Sequence, residues 1–227
     1  MLYQMFNDST LDIGLWIIML VVASAVHESA HAWVASLCGD DTAKNAGRIS
    51  LNPMVHISLW DSILLPAMFL FMSGGRFILG GANPVPIVAS KLKNPDRDLA
   101  LATLAGPVSN LILVLLTTVL LLLVKICLSG QVGLPVYYFI RNVILNFIVL
   151  NLILVFFNLL PIPPLDGSRV FRYLVPPVRP LYDALDEWGL AVLILVLISV
   201  PGIQTLISYA ILWSLSVVIY LYHLMPG

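Results

Sequence analysis

Long apolar runs separated by short polar clusters dominate the chain. Runs at about 11–37, 98–124 and 137–160 each supply the roughly 17 to 25 helical residues needed to cross a hydrocarbon layer of about 30 Å. Two more, at about 185–200 and 203–224, flank Pro201-Gly202, a pair that reads as a tight turn between antiparallel helices. Asn94-Pro95-Asp96 provides the N-cap, first-turn proline and early acid of a helix start. Residues 62–73 are apolar but few, broken by Pro66 and closed by Gly74, Gly75 and Arg76, which predicts a re-entrant or interfacial piece. Pro84 and Pro86 keep residues 80–88 extended, and with residues 45–52 they predict a small sheet edge. The pattern thus predicts an all-α polytopic membrane protein with about five transmembrane helices, a short re-entrant segment and a small extended or β-hairpin region. It forms one domain over 1–227: helix 11–37, loop 38–97, core helix 98–124, a third core helix with its following loop at 137–170, and a helical hairpin at 185–224.

Composition agrees. Hydrophobic residues make up 60% of the 227 positions and charged residues 10%, against roughly 45–50% and 25% in soluble domains. A net charge of −1 offers no basic face to nucleic acid. Cys38 and Cys127 match no disulfide or metal spacing. No Lys or Arg precedes Lys44, so the first apolar run lacks the basic flank of a signal peptide and is expected to persist as a membrane helix. If residues 62–79 do not cross, nine Lys and Arg share one side and only Lys125 and Arg141 face the other, which assigns the nine to the cytoplasm.

Inside the first apolar run lies His27-Glu28-Ser29-Ala30-His31. Residues four apart on a helix share a face, so both imidazoles can hold one Zn²⁺, while Glu28 sits about 100° around the helix, free of coordination. Such a carboxylate can take the proton of a water whose pKa the metal lowers towards about 7. A charged side chain near a membrane helix centre costs roughly 2.5–3.5 kcal/mol, so Glu28 asks for a function; a metal-free polar cluster is the alternative.

A zinc site needs a third protein ligand. Asp166 is the candidate: Pro161, Pro163 and Pro164 forbid continuation of the preceding helix, and Gly167 permits close backbone approach. An aspartate in an ordinary helix-ending turn would read the same way. His31 and Asp166 each lie near the C-terminal end of a span, so they meet only if those spans run parallel, as five spans require. The site is then expected below the cytoplasmic surface, since ten residues, about 15 Å of helix, separate His27 from Leu37.

Other polar residues have two readings. Asn110, after the Gly106-Pro107 kink, can orient a substrate carbonyl or bond another helix. Asn151 and Asn158 share a face; Asn158 is the better site lining and Asn151 the better interhelical link. His56 can donate to an oxyanion or serve structure. Backbone donors around Asn83 and Val85 are expected to receive an unwound substrate by strand addition, or else to form a structural hairpin. His223 reads as interfacial beside Tyr220 and Tyr222, and Asp183, Asp186 and Glu187 as a solvated helix start.

The motifs His27-Glu28-Ser29-Ala30-His31, Gly47-Arg48-Ile49-Ser50-Leu51-Asn52-Pro53, Gly81-Ala82-Asn83-Pro84-Val85-Pro86, Ala105-Gly106-Pro107-Val108-Ser109-Asn110 and Asn158 to Gly167 resemble, in order, the site-2 protease family of intramembrane zinc metalloproteases, specifically compact bacterial-type members. After His56 the chain departs from the family pattern, reading Ile57-Ser58-Leu59-Trp60-Asp61. The resemblance implies zinc ligands His27, His31 and Asp166, an acid/base Glu28, and site-lining Asn110 and Asn158. It implies hydrolysis of a peptide bond in or next to a transmembrane segment of a membrane protein, with the active site towards the cytoplasmic side of the cell membrane. The competing class is a non-enzymatic protein whose polar cluster binds or transports a cation, as proline-broken membrane helices also do.

Overall fold

The computed structural model describes residues 13–58, 64 and 83–226. Its main helices are α1 (Ile13–Leu37), α2 (Pro95–Leu128), α3 (Leu134–Asn158), α4 (Asp166–Leu174), α5 (Arg179–Asp186), α6 (Gly189–Ser199) and α7 (Pro201–Leu224). Among the described residues, four helices are long and apolar enough to cross a membrane: α1, α2, α3 and α7. The three expected core spans therefore form, each within a few residues of its sequence-derived bounds.

The C-terminal hairpin is where sequence and structure part. Only Gly189–Ser199 of the run at 185–200 belongs to α6, and eleven residues rise about 16 Å, half of what a crossing needs. Pro201 then takes the first-turn position of α7, where its missing N–H costs nothing, instead of turning two spans back on each other. Ile203 of α7 packs with Leu193, Ile162 and Leu165, beside the C-terminal end of α3. At its other end, Lys125 Nζ donates to the carbonyls of Tyr222 (2.8 Å) and Met225 (2.7 Å), and Tyr137 and Tyr222 share a hydroxyl–hydroxyl bond. Of the C-terminal helices described, α7 is thus the one long enough to cross, and it lies alongside α2.

No strand forms among the described residues. Residues 83–88 are extended but unladdered, and Thr42–Asn45 is a single helical turn. The segment read as re-entrant, apart from residue 64, and residues 80–82 of the expected sheet edge lie outside the described residues.

Small side chains set the helix spacing at the centre. Ala23, Ala32 and Ala35 on α1 and Ala100 and Ala102 on α2 are buried, so the two antiparallel backbones come close without a driving force from water. α3 runs antiparallel to α2, with Ile144, Ile148 and Leu152 packed among Val114, Leu121 and Val124. Trp16, Met19 and Ala23 of α1 cluster with Val143, Phe147, Leu150 and Leu154 of α3, and since α2 is antiparallel to both, α1 and α3 are parallel. The Lys93 N–H donates to the Cys38 carbonyl (3.0 Å) and the Val88 N–H to the Asp40 carboxylate (2.6 Å), so α2 begins on the side where α1 ends. Asn94 is the N-cap of α2 as expected, without a side-chain cap bond, and Asp98 stabilises that beginning by accepting from the Asn94 N–H (2.8 Å).

Candidate metal centre

α1 presents His27 and His31 on one face, their rings edge to face with centroids 4.6 Å apart. Asp166 arrives from the other side, at the first position of α4. The chain leaves α3 at Asn158, passes the cis Pro163-Pro164 bond, and is fastened by the Tyr182 hydroxyl on the Pro161 carbonyl (2.7 Å) and the Ser168 hydroxyl on the Leu165 carbonyl (2.6 Å). Gly167 makes this turn possible, because a β-carbon there would overlap the carbonyls of Leu159 and Leu160.

The three side chains converge. Asp166 Oδ2 lies 3.1 Å from His27 Nε2 and 3.4 Å from His31 Nε2. Ligand atoms of His27, His31 and Asp166 all lie within 4.8 Å of one another, and both rings are buried. Two zinc bonds of about 2.0–2.1 Å at a tetrahedral angle put their donor atoms about 3.3 Å apart, so the spacing suits one ion.

Each imidazole is also set up electronically. His27 Nδ1 lies 2.6 Å from Asn110 Oδ1, and His31 Nδ1 lies 2.7 Å from the Ala102 carbonyl. Both partners are oxygen acceptors, so each Nδ1 carries the proton and each Nε2 keeps its lone pair towards the ion position. Room for this comes from Gly106, where a β-carbon would stand 2.5 Å from His31 Nε2 and 2.6 Å from His27 Cε1.

Glu28 stands beside this group, half-buried and uncoordinated. Its Oε2 accepts from the Val85 N–H at 3.1 Å, and the Asn83 N–H donates to the His56 carbonyl at 2.7 Å. With the Val88 N–H on Asp40, the backbone donors of Asn83, Val85 and Val88 are all turned inward onto this chain. That differs from the sheet edge expected at Asn83 and Val85, whose donors were to face a substrate. Pro84 and Pro86 explain it: they leave few donors, and those that remain satisfy a carboxylate and a carbonyl at the site wall.

Asn110 is fully buried, and its Nδ2 donates to Asn151 Oδ1 (2.9 Å), so it reaches the site through His27. The Asn158 amide instead donates to the Leu154 carbonyl one turn back, at 3.0 Å. His56 is buried behind α1, where its Nε2 donates to the Ser50 carbonyl (2.8 Å) and sits 3.3 Å from the Ser29 hydroxyl. That hydroxyl also donates to the Ser50 carbonyl. Pairing His27 with Asn110 and Glu28 with Val85 was not legible in the sequence, since neither partner lies at a motif spacing from the other.

The match to known proteins decides the class. Residues 15–200 match the profile of Peptidase family M50. This chain belongs to that family. It is 37% identical over 205 residues to "Putative zinc metalloprotease YwhC" of Bacillus subtilis (strain 168), covering 88% of this chain and 84% of the relative. It is 26% identical over 205 residues to "Putative zinc metalloprotease Rip2" of Mycolicibacterium smegmatis (strain ATCC 700084 / mc(2)155), covering 88% and 74%. No solved structure gives a significant match. The M50 chain is therefore an intramembrane zinc metalloprotease, and the cation-carrier alternative falls away.

Proposed function

We propose that His27, His31 and Asp166 hold the zinc ion, that Glu28 moves the proton, and that the bond hydrolysed lies in or next to a transmembrane segment of a membrane protein. Convergence of two Nε2 lone pairs and one carboxylate oxygen, with both Nδ1 atoms already committed to acceptors, carries this reading. When bound, zinc supplies Lewis-acid polarisation of the scissile carbonyl and lowers the pKa of a water.

The chain's own residues do the rest. Glu28 accepts the proton released as water attacks and returns it to the leaving amine, so the carboxylate ends the cycle unchanged. Val85 fixes Oε2 through its N–H, which leaves Oε1 for that transfer. Asn110 and the Ala102 carbonyl keep both rings in one tautomer, and the surrounding α1, α2 and α3 exclude bulk water. Asn83, His56 and Asn158 are assigned to the wall that receives the substrate: the first two hold residues 83–88 against α1, and Asn158 is the last residue of α3, before the turn that brings in Asp166.

Membrane orientation follows from charge. Lys44, Arg48, Lys91, Lys93, Arg97, Arg169, Arg172 and Arg179 lie on the side of the site, against Lys125 and Arg141 at the opposite ends, which favours the cytoplasmic leaflet. The whole chain then acts as one peptidase domain, with α1, α2, α3 and α7 as the crossings among the described residues. The test compares wild-type protein with Glu28→Gln and Asp166→Ala for bound zinc and for cleavage of a membrane-spanning peptide. Glu28→Gln is expected to keep zinc and lose turnover, and Asp166→Ala to lose zinc; retention of cleavage by Glu28→Gln would overturn the assignment.

A further inference from the structure

Asn151, on α3, touches neither the metal group nor Glu28, yet it is fully buried and bonded at both ends of its amide. Its Nδ2 donates to the Phe147 carbonyl at 2.8 Å, and its Oδ1 accepts from Asn110 Nδ2 at 2.9 Å. Asn110 Oδ1 in turn faces His27 Nδ1 at 2.6 Å, while its Nδ2 also points towards the Ala23 carbonyl at 3.5 Å. An unbroken line of four groups therefore runs from a backbone carbonyl of α3, across α2, to a histidine of α1.

The direction of that line is not free. A backbone carbonyl only accepts, so the nitrogen of Asn151 must face Phe147 and its oxygen must face Asn110. An amide oxygen also only accepts, so Asn110 must turn its nitrogen to Asn151 and its oxygen to His27. The ring nitrogen that meets an oxygen must carry the proton, and Nε2 is then the nitrogen left bare. Turning the Asn110 amide over would set its oxygen against two other oxygens and bring its NH₂ to Nδ1, moving the proton to Nε2, where it would block coordination. In a site walled by apolar helices, no solvent corrects such an error.

We infer that Asn151 is a positioning residue of the metal centre: it fixes the polarity of the Asn110 amide and so the metal-binding tautomer of His27. This rests on the assignment of His27 as a zinc ligand. Loss of the outer hydrogen-bond partner of a ligand histidine typically costs 10–100-fold in metal affinity.

The test measures zinc affinity by chelator competition on the full chain in detergent, in a cycle between positions 110 and 151. Asn151→Leu is close in size and removes the acceptor; zinc affinity is expected to fall about tenfold or more. Asn151→Asp, kept neutral by burial, retains an acceptor for Asn110 and a donor for Phe147, and is expected to stay within a few-fold of wild type. The decisive variant adds Asn110→Asp to Asn151→Leu. A carboxyl group offers His27 an oxygen without needing Asn151 to orient it, so affinity is expected to recover. Where the leucine prevents folding, Asn151→Ala makes the same comparison. Equal zinc affinity in Asn151→Leu and wild type would overturn the inference, as would a loss that Asn110→Asp does not restore, since that is the signature of packing alone. Wild-type chain with no affinity for zinc would instead overturn the metal assignment itself.

Discussion

Gly106 on α2 faces His31 on α1 so closely that a single methyl group would fall 2.5 Å from the nitrogen aimed at the ion position. Neither partner can yield easily. His31 is held by the Ala102 carbonyl, and Gly106 precedes Pro107 within a continuous helix. Gly106→Ala is therefore expected to displace both imidazoles and reduce zinc stoichiometry well below one per chain, while the helical content measured by circular dichroism changes little. A variant that binds zinc normally and cleaves normally would show that the helices have slack at this point.

Gly167 carries a parallel constraint with a different outcome. A β-carbon there meets the backbone carbonyls of Leu159 and Leu160, which cannot rotate away. Gly167→Ala is expected to push α4 from the end of α3 and carry Asp166 out of reach of His27, costing on the order of 1–3 kcal/mol in stability, in line with an overpacked site. Thermal unfolding in detergent and zinc content read the two effects separately.

Val85→Pro removes one N–H and nothing else that the extended segment needs, since its neighbours on both sides are already prolines. Glu28 then loses the donor that fixes Oε2. A hydrogen bond to a charged group is worth about 1.5–3 kcal/mol, so turnover is expected to fall roughly ten-fold or more with zinc content unchanged. Loss of zinc together with activity would mean that residues 83–88 support the metal group directly.

Asp40 ties the same segment to the end of α1 by accepting from the Val88 N–H and the Thr42 side chain and N–H. Burial alone would raise its pKa; hydrogen bonds from Thr42 and Val88 outweigh this and hold the carboxyl below its ordinary value of 3.8. A depressed folded-state pKa stabilises the fold above the ordinary value, and that contribution fades as pH falls through the depressed one. The attachment is therefore expected to persist through pH 4 and fail only below the usual carboxylate range. Hydrogen exchange at Val88, corrected for intrinsic rate, reads it, and Asp40→Ala is expected to show the loosened segment already at pH 7.

Much of this architecture was written in local pattern. Apolar length marked α1, α2 and α3, because lipid rewards uninterrupted runs, and the helical repeat placed His27 above His31 with Glu28 to the side. The requirement that His31 and Asp166 meet already implied parallel α1 and α3. What escaped depends on contacts between distant segments. Apolarity alone did not show that α6 spans only Gly189–Ser199, because the backbone leaves the helical conformation at Trp188 and Val200, which hydropathy does not report. The partners of Asn110 and Val85 depend on helix register, which no spacing within one segment reveals. Asn158 had the right address beside the proline break, and its amide is turned back along its own helix.

Both rings proposed as ligands are clamped at their far nitrogens by the chain itself, one by a carbonyl and one by an amide. On that proposal a metal is received by two rings whose direction is set by the fold rather than by loose arms. The ordering cost has been met at the folding stage, so shedding the ion's water shell and finding a path in are left to govern uptake. Cobalt, of similar size and geometry, is then expected to settle into the same seat without reshaping the helices around it.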